Sequence, residues 1–60
     1  MASFYVRFTG GEQRGFSKVE QADKHARDIS GRLSGKVEVL QDLPFQADPV
    51  VSTWKNGKRR

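Results

Sequence analysis

The stretch "SFYVRFTGGEQRGF", residues 3 to 16, decides the fold. Phe4, Val6 and Phe8 alternate with Tyr5, Arg7 and Thr9, the period of a half-buried strand. Gly10-Gly11 is a strong turn signal, and "EQRGF" reads as the returning strand. The length of the loop sets which face Phe16 joins. A two-residue Gly10-Gly11 turn pairs Tyr5 with Phe16 and turns Phe16 outward. A three-residue loop, Thr9-Gly10-Gly11, with Gly11 left-handed, pairs Phe4 with Phe16. The second register gathers the aromatic residues on one side and is the expected one, although a slip of one residue inverts every side chain.

Working outward, "SKVE" at 17 to 20 matches a capping box, with Ser17 and Glu20 closing each other's backbone amides. Val19, Ala22, Ala26, Ile29 and Leu33 then recur at helical spacing and form one apolar stripe. Gly35 supplies the stop. Gly31 lies inside the helix at a cost of about 1 kcal/mol relative to Ala, and marks either a close approach to the sheet or an early fray. Glu20–Lys24, Asp23–Arg27 and Asp28–Arg32 are i,i+4 pairs with the acid first. They make the helix electrically self-contained.

"KVEVL" at 36 to 40 is a third strand with Val37 and Val39 facing inward. A right-handed crossover places it beside the first strand. The expected fold is a small α+β domain of ββαβ type, a three-stranded antiparallel sheet in the order 2-1-3 with one helix on one face. Its core is Phe4, Val6, Phe8, Phe16, Val19, Ala22, Ala26, Ile29, Leu33, Val37 and Val39. This pattern, over about residues 3 to 40, is similar in architecture to many small bacterial and phage domains. A likeness of architecture implies no function.

The domain takes residues 1 to 43, and residues 44 to 60 form an extended segment, apolar first and then basic. Pro44 and Pro49 break regular structure there. "VVSTW" has the composition of an extra edge strand, and Asn56-Gly57 is expected to end it rather than open a further hairpin.

Sixty residues bury only roughly 60% of their unfolded surface, so the core is marginal. There is no cysteine to staple it, and a partner chain is one remedy. No apolar run approaches the ~18 residues of a membrane span. The N-terminus lacks the flank and apolar stretch of a signal peptide. These features fit a cytoplasmic protein without membrane contact.

The net charge of +4 is local: residues 1 to 54 hold seven bases and seven acids, and residues 55 to 60 hold Lys55, Lys58, Arg59 and Arg60 with no acid. Chemistry is poorly supplied. His25, the single histidine, sits at the edge of the apolar stripe and reads as a boundary residue. Ser17 has no base to activate it, Gly10-Gly11 fits no phosphate-binding motif, and no zinc-ligand spacing occurs. No catalytic residue, metal site or cofactor is expected.

Two binding functions remain. In the first, Phe45, Val50, Val51 and Trp54, with Leu43, present an apolar ligand to a protein partner or a homodimer mate, or the chain adds through a sheet edge, as an adaptor or inhibitor would. In the alternative, the basic end and the open sheet face bind nucleic acid through Tyr5, Arg7, Arg14, Lys55, Lys58, Arg59 and Arg60. That face is expected to carry Tyr5, Arg7, Gln13, Lys36, Glu38 and Leu40. The neutral body favours the first function.

Overall fold

The computed structural model describes residues 3–33, 35–43 and 45–60. The break expected at Pro44 lies outside the described residues. Strands β1 (Ser3–Phe8) and β2 (Gly11–Phe16) precede helix α1 (Val19–Arg32), and β3 (Val37–Asp42), β4 (Val50–Lys55) and β5 (Lys58–Arg59) follow it. The fold is α+β, as the patterning predicts. The sheet, however, has five antiparallel strands in the order β2-β1-β3-β4-β5, not three. The expected order 2-1-3 survives as its first part, and the C-terminal segment continues the same sheet.

The aromatic pair Phe4 and Phe16 stands opposite, but by another route than a three-residue loop. Phe8 pairs with Gly11 across a two-residue Thr9-Gly10 turn, and the register then shifts between Tyr5 and Phe4. Gly15, at φ 102, is the extra residue of that bulge. The shift changes the open face. Tyr5 pairs with Arg14 and Arg7 with Glu12, so Gln13, opposite Val6, leaves the open side and Glu12 and Arg14 occupy it.

α1 starts later than a capping box requires. Lys18 is the N-cap residue with extended backbone and no side-chain cap, and the Ser17 hydroxyl donates weakly to Gln21 Oε1 at 3.4 Å. Glu20 still lies in the first turn, where a carboxylate favours the helix dipole. The helix closes with the Leu33 amide donating to the Ile29 carbonyl. Leu33 itself turns into extended backbone at ψ 143 and is 42% exposed, so it falls outside the core expected of it. Val6, Ala22, Ala26, Val37 and Val39 are buried, with Phe4, Phe8, Phe16, Val19 and Ile29 packed around them. Trp54 joins this helix-side core.

Asn56-Gly57 opens a hairpin after all. Both residues are left-handed, at φ 54 and 79, as a two-residue primed turn requires. Lys55 then pairs with Lys58, and Trp54 with Arg59. The turn docks on α1: the Gly57 amide donates to Oγ of buried Ser30 at 2.9 Å. A Cβ on Gly57 would stand 3.8 Å from the Gly31 Cα, so the close approach to the helix is made by this turn. A Cβ on Gly31 itself would meet nothing within 4 Å. Gly31→Ala should therefore stabilise the fold by about 1 kcal/mol through helix propensity alone. Chemical denaturation checks this, and a loss of stability would contradict the open space at that position.

Candidate functional site

The two faces of the sheet receive different residues of the sites read from sequence. Trp54 goes to the helix side. Its indole Nε1–H donates to Ser52 Oγ at 3.2 Å and to Asp23 Oδ1 at 3.4 Å, and the Ser52 hydroxyl donates to Asp23 Oδ1 at 2.5 Å. Asp23 is therefore turned inward to β4 and is not Arg27's partner. Of the three helix pairs expected, only Asp28–Arg32 forms among the described residues, at 3.3 Å.

On the open side Tyr5 is buried, only 5% exposed. The Arg14 guanidinium stacks over its ring at 4.1 Å, and its hydroxyl donates to Asp48 Oδ2 at 2.7 Å. The other Asp48 oxygen accepts from the Leu43 amide at 3.1 Å. Asp48 thus fastens the segment between β3 and β4 to the sheet through Tyr5 and closes that segment on its own first residue, Leu43. The carboxyl is held below the usual range, first by the Tyr5 hydrogen bond and then by the Leu43 amide. The same bond, with burial, pushes the Tyr5 hydroxyl up. Leu40, opposite Tyr5, is also buried. Sequence patterning missed this arrangement, because a loop aspartate gives no sign of a tyrosine more than forty residues away.

Phe45, by contrast, is fully exposed, and its backbone is left-handed at φ 63. Val50 and Val51 are 48% and 36% exposed. A second register shift, between Val39 and Leu40, pairs Leu40 with Val50 and leaves Val51 as the extra residue. Of the apolar set, three residues therefore point to solvent from one short segment and Trp54 points to the core.

The bases divide as well. Arg7 pairs with Glu38 at 3.1 Å, and Arg14 with Glu12 at 3.1 Å and Asp42 at 3.6 Å. Lys55, Lys58 and Arg60 belong to the open side, and Arg59, opposite Trp54, to the helix side. The Tyr5 ring, covered by Arg14, presents no free face to stack a base, whereas the Arg14 side chain is half exposed.

His25 stands beside Phe16 with ring centroids 5.3 Å apart, which suits the boundary role read from its place in the stripe. An open depression of ≈ 950 Å³ runs along α1, lined in part by Phe16, Lys24, His25 and Asp28. Among the described residues no group of acids and histidine is placed to hold a metal ion, and no helix is long and apolar enough to cross a membrane. No family model, curated protein or solved structure matches the chain.

Proposed function

We propose that the chain is a non-enzymatic protein-binding module, an adaptor or inhibitor, that presents Phe45, Val50 and Val51 to an apolar cleft on a protein partner. The observation that carries this reading is Phe45. An aromatic ring left wholly in water, on a backbone that disfavours any side chain, works against the stability of so small a fold. The segment that bears it is nonetheless fixed, through Asp48, to Tyr5 and to the Leu43 amide. A held segment loses less conformational freedom on binding than a loose one. A buried aromatic anchor is also the kind of residue on which binding energy concentrates. Trp54, committed to the helix-side core, supports the segment and does not contact the partner.

The test is a photo-crosslinking phenylalanine analogue at position 45, with the same group at Glu12 on β2 as control. A discrete product from position 45 alone, suppressed by excess unlabelled chain but not by Phe45→Ala, is expected. A product of twice the chain mass would identify a second copy as the partner. Equal products from both positions, or equal competition by Phe45→Ala, would refute the proposal. Phe45→Gly should in addition raise stability by about 1 kcal/mol, because it relieves the left-handed backbone and removes no buried contact.

A nucleic-acid function has its own observation, the register of the last strands, which concerns a different surface.

A further inference from the structure

We infer that the end of the open sheet face remote from Phe45 binds the phosphate backbone of a nucleic acid without reading its bases. The register builds the surface. Arg7 lies opposite Glu38, Glu38 opposite Thr53, and the Arg60 amide donates to the Thr53 carbonyl at 2.7 Å. The neighbouring positions Val37, Trp54 and Arg59 form a row that turns to the helix side. One step further along, the open side carries Lys36, Lys55 and Lys58. Lys55 and Lys58 are cross-strand partners. Lys36 precedes Val37, and its Nζ lies 3.9 Å from Glu38 Oε2, on the same side. Two adjacent rows thus hold Arg7, Lys36, Lys55, Lys58 and Arg60 around Glu38, while Glu12, opposite Arg7 at the β2 end of the first row, is paired with Arg14.

This arrangement is not one that stability selects. Like charges directly opposite each other across two strands are destabilising. Among the described residues neither Lys55 nor Lys58 has an acid at ion-pair distance. The two lysines are nevertheless set opposite each other by a primed turn whose Gly57 amide is fixed to Ser30. A polyanion relieves the repulsion, and the fixed hairpin spares it the cost of ordering that backbone.

The occupant is a nucleic acid rather than a lipid surface. Interfacial binding to a membrane needs an apolar face beside the bases. The exposed parts of these rows are Arg, Lys, Glu and Thr, and exposed Val50 lies about 16 Å from Lys55 along β4 at ~3.3 Å per residue. Base reading is absent because both nearby aromatics are committed elsewhere, Tyr5 beneath Arg14 and Trp54 on the helix side. The inference does not rest on the protein-binding proposal, since the two surfaces share no residue.

Fluorescence polarisation of the full chain with a labelled mixed-sequence duplex tests it. About four net contacts at roughly −0.9 each give a log–log salt slope near −3.6, a loss of about a hundredfold between ~50 and ~200 mM salt. Replacing Lys55 and Lys58 by Gln together should flatten that slope by about 2. The thermal midpoint should stay unchanged or rise, which excludes misfolding as the cause. Replacing Lys24 and Arg27 by Gln together removes equal charge from the helix and should leave the slope unchanged. No binding at ~50 mM salt, equal effects of the two double variants, or stronger binding to phosphatidylserine-rich vesicles than to DNA would each overturn the assignment.

Discussion

Trp54→Ala should lower the unfolding free energy by about 3 kcal/mol, the lower end of the range for removing a packed aromatic. A chain of 60 residues is stable by roughly 3–9 kcal/mol at about 0.05–0.15 kcal/mol per residue. The variant should therefore lose between about a third and all of that stability. The cost comes from the space left beneath β4 and from Asp23 and Ser52, which lose the indole donor. Trp54→Phe keeps most of the packing and should cost about 1 kcal/mol, the net value of a hydrogen bond. Urea unfolding followed by circular dichroism separates the two. If Trp54→Ala were as stable as the natural chain, Trp54 would lie outside the core and be free to contact a partner.

Tyr5→Phe should cost about 2 kcal/mol, because it deletes a buried hydroxyl's bond to a charged acceptor. It should also change the response to acid. The Asp48 carboxyl is held below its ordinary value in the folded chain, so its contribution is complete at neutral pH, above the unfolded value. That contribution is lost as the pH falls through the depressed folded value. Removing the Tyr5 hydroxyl takes away the larger cause, and the stability of the variant should depend less on pH through the carboxylate range. The Leu43 amide keeps part of the dependence. At alkaline pH the natural chain should weaken further. The Tyr5 hydroxyl is raised in the fold, and its contribution holds below its ordinary value of about 10 and fades above it. Denaturation midpoints across pH for both chains check these signs. Parallel acid profiles would show that Asp48 and Tyr5 are not coupled.

The alternations at Phe4, Val6 and Phe8 and at Val37 and Val39 and the helical stripe from Val19 to Ile29 revealed β1, β3 and α1, because burial on one face imposes a period that the sequence displays, and the Gly10-Gly11 turn revealed β2. What stayed hidden were the places where the period breaks. The bulge at Gly15 exchanged Gln13 for Glu12 and Arg14 on the open face. The bulge at Val51 turned Val50 and Trp54 to opposite sides, whereas an unbroken strand would place them together. Asn56-Gly57 was recognisable as a turn, but its role depends on Ser30, a helix residue that nothing in the local pattern connects to it. Asp23 and Asp48 read as surface charges, and only the assembled fold brings them to Trp54 and Tyr5.

The candidate surfaces follow the same division. Phe45, Val50 and Val51 were visible as apolar residues without a place in the core, and they are exposed. The lysine row was not visible, because Lys36 lies about twenty positions from its neighbours and only the pairing of β3, β4 and β5 aligns them. The basic residues that looked like an appended tail are largely a strand and its turn.

Both surfaces depend on that pairing, and nuclear Overhauser contacts between backbone protons measure it directly. Cross-strand contacts are expected for Val37 with Trp54, Glu38 with Thr53 and Trp54 with Arg59, together with slow exchange of the Trp54 indole proton. Random-coil shifts over residues 50 to 60, with rapid indole exchange and none of these contacts, would contradict it.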